Sequence, residues 1–83
     1  MADTIESQVI AIIAKKKRLD PAAISMDSTF DQLGVDSLDA ADLLFSFEDS
    51  FGIVVPDDAA QSMKSVRQVA DGVRRLIADR AGA

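Results

Sequence analysis

Apolar residues recur at three- and four-residue intervals in three separated segments, and that spacing limits the chain to packed helices. Ile5, Val9, Ile12 and Ile13 share one face of a first segment. Ala40, Leu43, Leu44, Phe47 and Phe51 share a face of a second, and Val66, Val69, Ala70, Val73, Leu76 and Ile77 a face of a third. The period is that of an α-helix, not the two-residue alternation of a half-buried strand. The 83 residues are expected to form one domain, 1–83. A chain this short buries only ~60% of its unfolded surface, so each helix must give a face to one small core. The expected fold is all-α: a small four-helix bundle, three helices long and one short, with a long first loop.

Boundaries follow from local signals. Asp3 and Glu6 have the offset of a capping box. Asp20-Pro21 is expected to close the first helix, because a residue before proline avoids helical geometry. Residues 19 to 35 form the long loop, with Leu19, Ile24, Phe30, Leu33 and Val35 as apolar plugs over the core. Gly34 lets the chain turn into the second helix, expected from Ser37 to Phe51 with Gly52 as its left-handed stop. Ile53-Val54-Val55-Pro56 is too short and too near proline to be a strand. Asp57 is placed as the cap of a short turn through Ser62. Ser65 and Gln68 make a second capping box. Gly72 inside the last helix costs ~1 kcal/mol against alanine, and the tail Ala81-Gly82-Ala83 is expected to fray.

Charge divides the chain. Between Leu19 and Met63 there are ten acidic residues and no Lys or Arg, while the remainder holds four acids and all nine bases. The net charge is −5, which argues against nucleic acid, whose phosphates require clustered cations. The one basic run, Lys15-Lys16-Lys17-Arg18, reads as a helix end suited to the macrodipole. There is no cysteine and no histidine, hence no disulfide framework or thiolate metal site, and no metal site is expected. No apolar run is long enough to span a bilayer, and no signal peptide is evident. A cytoplasmic monomer is expected.

Ser37 lies at the head of the acidic second helix. Asp36-Ser37 has the form of an N-cap, with either side chain able to accept an orphan N–H. A helix start also favours an anion. Catalysis by Ser37 is not expected, since the chain has no histidine to serve as its base. The serine therefore reads as a site that is modified. Leu38, Ala41 and Phe45 extend the apolar surface of this helix beyond one stripe. They pack either on the long loop or against a second partner.

Phe30-Asp31-Gln32-Leu33-Gly34-Val35-Asp36-Ser37-Leu38-Asp39 resembles the attachment motif of free-standing, type II acyl carrier proteins. Asp42-Leu43, Phe47-Glu48, Phe51-Gly52-Ile53 and Val55-Pro56-Asp57 follow in that family's order. The resemblance implies a 4′-phosphopantetheine arm joined to Ser37 by a phosphodiester and delivered from coenzyme A by a phosphopantetheinyl transferase (holo-carrier synthase). The arm's thiol would hold acyl groups as thioesters. Asp36 and Leu38 would help the transferase recognise the site. Asp39, Ala41, Asp42, Phe45, Glu48, Asp49 and Val54 would form the face that meets basic patches on acyltransferases, ketosynthases or acyl-activating enzymes. Ala40, Leu43, Leu44, Phe47 and Val69 would line the space that shelters the acyl chain. The cargo would serve fatty-acid, specialised-lipid or polyketide enzymes.

Three other readings compete. A peptidyl or aminoacyl carrier shares the chemistry. An unmodified helical interaction module would use Ser37 only as a cap. A calcium-binding helical protein is suggested by the aspartates of residues 27 to 39, but no window has the ligand spacing of a calcium loop.

Overall fold

The computed structural model describes residues 5–82, with side chains as far as Arg80. Four α-helices follow in order: α1 (Ile5–Lys17), α2 (Ser37–Phe51), α3 (Asp57–Gln61) and α4 (Val66–Gly82). No strand forms among the described residues. The expected all-α bundle with three long helices and one short is the observed architecture. α1 packs on both α2 and α4, and α2 meets α4. Val9 and Ile13 of α1, Leu43 and Phe47 of α2, and Val66, Val69 and Val73 of α4 are fully buried between them. Each such side chain contributes about 1.5–3 kcal/mol of transfer free energy.

The end of α1 departs from expectation. The helix stops before Asp20-Pro21, through a left-handed residue at Arg18 (φ 56°). Leu19 N–H then donates back to Ala14 O at 2.8 Å, the six-to-one bond of a Schellman stop. Asp20-Pro21 instead opens a 3₁₀ turn, Pro21–Ala23, which Asp20 caps by accepting the N–H of Ala22 at 3.0 Å. Proline fits its first position, where the missing N–H has no partner to lose. The Asp3–Glu6 box lies outside the described residues.

The long loop is built into the fold. Ile24 and Val35 are buried, and Leu19, Phe30 and Leu33 pack against the core. The loop carbonyls of Ser28 and Met26 accept the N–H groups of Val66 (3.0 Å) and Arg67 (2.9 Å), satisfying the first turn of α4. In return Phe30 N–H donates to Lys64 O at 3.1 Å. The expected Ser65–Gln68 box forms by half: Ser65 Oγ accepts from Gln68 N–H (3.3 Å), but Gln68 Oε1 reaches one residue further, to Lys64 N–H (2.8 Å).

α2 has the expected limits, ending at Gly52 in the left-handed region (φ 64°). The guanidinium of Arg80 donates to the carbonyls of Phe51 and Gly52, fastening the end of α4 to the end of α2. Asp57 does not cap α3. Pro56 holds the cap position without a side-chain bond, and Asp57 and Asp58 occupy the first turn, where the dipole favours them. At Gly72 a Cβ would meet the methyl end of Met63, the far end of a flexible side chain that would have to shift aside. α4 continues through Gly82, into the tail expected to fray.

Candidate functional site

A series of turns delivers the chain to Ser37. Thr29 N–H donates to Gln32 Oε1 (3.0 Å) and Gln32 N–H to Thr29 Oγ1 (3.2 Å), a reciprocal capping box. The turn leaves through Gly34 at φ 74°. Val35 then buries its side chain and donates to Phe30 O at 2.9 Å. Of the two candidate caps, Asp36 takes the role: its Oδ1 accepts the N–H of Asp39 at 2.9 Å. Ser37 is thereby the first helical residue, exposed, with its hydroxyl left out of the cap. The first intrahelical bond runs from Ala40 N–H to Asp36 O (2.8 Å). The N–H groups of Ser37 and Leu38 precede that ladder, at the positive end of the helix dipole. An anionic ester on the Ser37 oxygen would find its counter-charge there.

Among the described residues, three large apolar side chains stand in solvent: Leu38 (79% exposed), Phe45 (73%) and Val54 (78%). Leu38, Ala41 and Phe45 do not pack on the long loop; all three are exposed along one side of α2. Val54 faces out because Ile53 before it is buried and Val55 after it is half-buried. Glu48 fixes that register, since its Oε2 accepts the N–H of Val55 at 2.7 Å.

The acids of α2 are not equivalent. Asp39 pairs with Lys17 of α1 at 2.8 Å, and Asp42 with Lys16 at 3.1 Å. The hydrogen bond from Lys17 holds the Asp39 carboxyl below the ordinary carboxylate range, against the opposing cost of desolvation. Glu48 is occupied by Val55. Asp49 is exposed and shares a shallow depression with Phe45 and Ser46. Behind this surface, Ala40, Leu43, Leu44, Phe47 and Val69 line one apolar cavity of about 40 Å³, completed by Phe30, Ala60 and Met63. The five residues expected to line such a space are brought together. Among the described residues no three His, Cys, Asp or Glu side chains are grouped to hold a metal, and no helix is long and apolar enough to cross a membrane.

Three pairs at this site lie beyond the sequence analysis above. Thr29-x-x-Gln32 has the capping-box pattern, a local signal that could have revealed it. The pairs Lys16–Asp42 and Lys17–Asp39 have no such signal, because nothing in the linear sequence aligns a helix end with residues 26 and 22 positions away.

A family model for the phosphopantetheine attachment site matches residues 7–73. The acyl carrier protein of Rickettsia typhi is 43% identical over 68 residues, covering 81% of this chain and 79% of that protein. The chain belongs to the acyl carrier protein family. The carrier is also similar to the acyl carrier protein of Thermosynechococcus vestitus, 33% identical over 75 residues, covering 89% of the chain and 93% of that protein. Acyl carrier protein 1, chloroplastic, of Casuarina glauca is 38% identical over 81 residues; the match takes in 96% of the chain but 59% of the relative. The crystal structure of an acyl carrier protein from Thermotoga maritima superposes with a TM-score of 0.77 at 27% identity, covering 89% of this chain and 87% of that one. This protein is thus a carrier and not an enzyme, and its prosthetic group is 4′-phosphopantetheine.

Proposed function

We propose that Ser37 is the residue that bears the 4′-phosphopantetheine arm, and that the single domain 1–83 carries acyl groups as thioesters on it. The observation behind this reading is the division of labour at the start of α2: Asp36 takes the cap and leaves an exposed Ser37 alcohol beside free N–H groups. The arm supplies the thiol that a chain without cysteine lacks. The phosphopantetheinyl transferase supplies the base, because the carrier has no histidine and one Asp36 oxygen is engaged in the cap.

Asp36 and Leu38 flank the serine as recognition points. Leu38, Ala41, Phe45 and Val54 give the apolar part of the docking face, and Asp39, Asp42 and Asp49 the charged part. Glu48 serves this face by holding Val54 outward. Basic patches on acyltransferases, ketosynthases or acyl-activating enzymes complement it, with steering that weakens as salt rises. The apolar cavity behind α2 widens to receive the start of the acyl chain.

Incubation of the purified chain with coenzyme A, magnesium and a broad-specificity phosphopantetheinyl transferase, followed by intact mass, tests the reading. One phosphopantetheinyl group is expected on the wild type and none on Ser37→Ala. An unmodified wild type, or a modified Ser37→Ala, would overturn it.

A further inference from the structure

Two lysines of α1 already sit on the α2 carboxylates that a basic partner would use. Lys17 Nζ is 2.8 Å from Asp39 Oδ2, and Lys16 Nζ is 3.1 Å from Asp42 Oδ2. The Lys17–Asp39 pair is the more sheltered, its side chains keeping 23% and 29% of their exposure. From Leu19 to Met63 the chain has no base of its own, so α1 provides the counter-charge to this strip. An approaching Lys or Arg has the same chemistry as the two lysines. It gains little from a carboxylate that is already hydrogen-bonded to an ammonium unless it displaces that ammonium.

We propose that Lys16 and Lys17 are specificity-determining residues, which occupy Asp39 and Asp42 and so weaken capture by the basic face of a phosphopantetheinyl transferase. The inference rests on the reading of Ser37 and α2 given under Proposed function. It shifts the strongest electrostatic contact toward Asp49, which has no ion-pair partner among the described residues and lies beside exposed Phe45. A partner that depends on Asp49 and Phe45 is admitted; one that depends on Asp39 and Asp42 must first break two internal pairs.

Transferase kinetics against carrier concentration provide the test. In Lys16→Gln with Lys17→Gln the KM for the carrier is expected to fall about fivefold at ~20 mM salt with kcat unchanged. The gain should shrink toward nothing at ~0.5 M salt. Lys16→Arg with Lys17→Arg keeps both pairs and should keep the wild-type KM. Lys64→Gln with Arg75→Gln has the same net charge but removes no ion pair to α2, and controls for long-range attraction. Lys16→Gln alone loosens the more exposed pair without risk to folding and should lower KM about twofold. An unchanged or raised KM in the glutamine variants, or an equal fall in the charge control, would overturn the inference. A wild type that is never loaded would overturn the carrier reading at Ser37 instead.

Discussion

Replacing Glu48 separates two roles that one acidic side chain can play. Its Oε2 accepts the Val55 N–H at 2.7 Å in a partly buried setting. Glu48→Ala removes the acceptor and leaves that N–H without it. A hydrogen bond to a charged group contributes about 1.5–3 kcal/mol, and partial exposure puts this one near the lower end, at about 1–2 kcal/mol. For a domain of this size that is a fall in Tm of about 5–15 °C. Glu48→Gln keeps a carbonyl oxygen in the same place, so the bond survives as a neutral one and the loss is about 0.5 kcal/mol. The same order is expected in function. Glutamine leaves Val54 facing outward, whereas alanine frees the segment and raises the transferase KM. Urea melts of the unloaded protein and loading kinetics read both. If glutamine impairs loading as much as alanine while stability is kept, Glu48 acts as a docking charge and the positioning argument fails.

Arg18→Gly should stabilise the protein by about 1 kcal/mol, because a left-handed L-residue costs about 1–2 kcal/mol and glycine returns part of that as unfolded-state entropy. Arg18→Ala, which keeps the strain and loses the charge, should show no such gain in thermal melts, and equal Tm values for the two would refute the backbone account. Asp39 has its carboxyl pKa lowered by the Lys17 hydrogen bond. Its stabilisation is therefore present above the unfolded-state pKa and lost as pH falls through the lower folded-state value, below about pH 4. Asp39→Asn should accordingly lose less stability than the wild type between about pH 7 and about pH 3 in urea titrations; equal losses would count against the pair.

The parts of this fold that were legible in the sequence are those set by a single residue's own geometry. Gly34 and Gly52 both adopt positive φ where a turn and a helix stop were expected, and together they fix α2 to Ser37–Phe51. The core faces followed from the apolar period within each segment, which is read without knowing how the segments meet. What was not legible depends on two segments meeting. Arg18 takes a left-handed stop that its sequence does not favour, because Leu19 must turn toward the core. Lys16 and Lys17 find Asp42 and Asp39 only through the packing of α1 on α2. The outward aim of Val54 depends on Glu48, seven residues from its Val55 partner and in a different element. The Ser37 alcohol itself was visible in advance, but which of Asp36 and Ser37 would spend its oxygen on the cap was a matter of geometry.

The way Met26 and Ser28 lend their carbonyls to α4 sets where this chain tolerates inserted residues. Lengthening the stretch from 24 to 30 would pull both acceptors off register and uncap a helix whose sequence had not been touched. The turn at Asp31, by contrast, has room for a graft only if Thr29 and Gln32 still reach each other. A stretch without helix or strand is thus among the least editable in the molecule, and shuffling it between relatives would have to carry the start of the last helix with it.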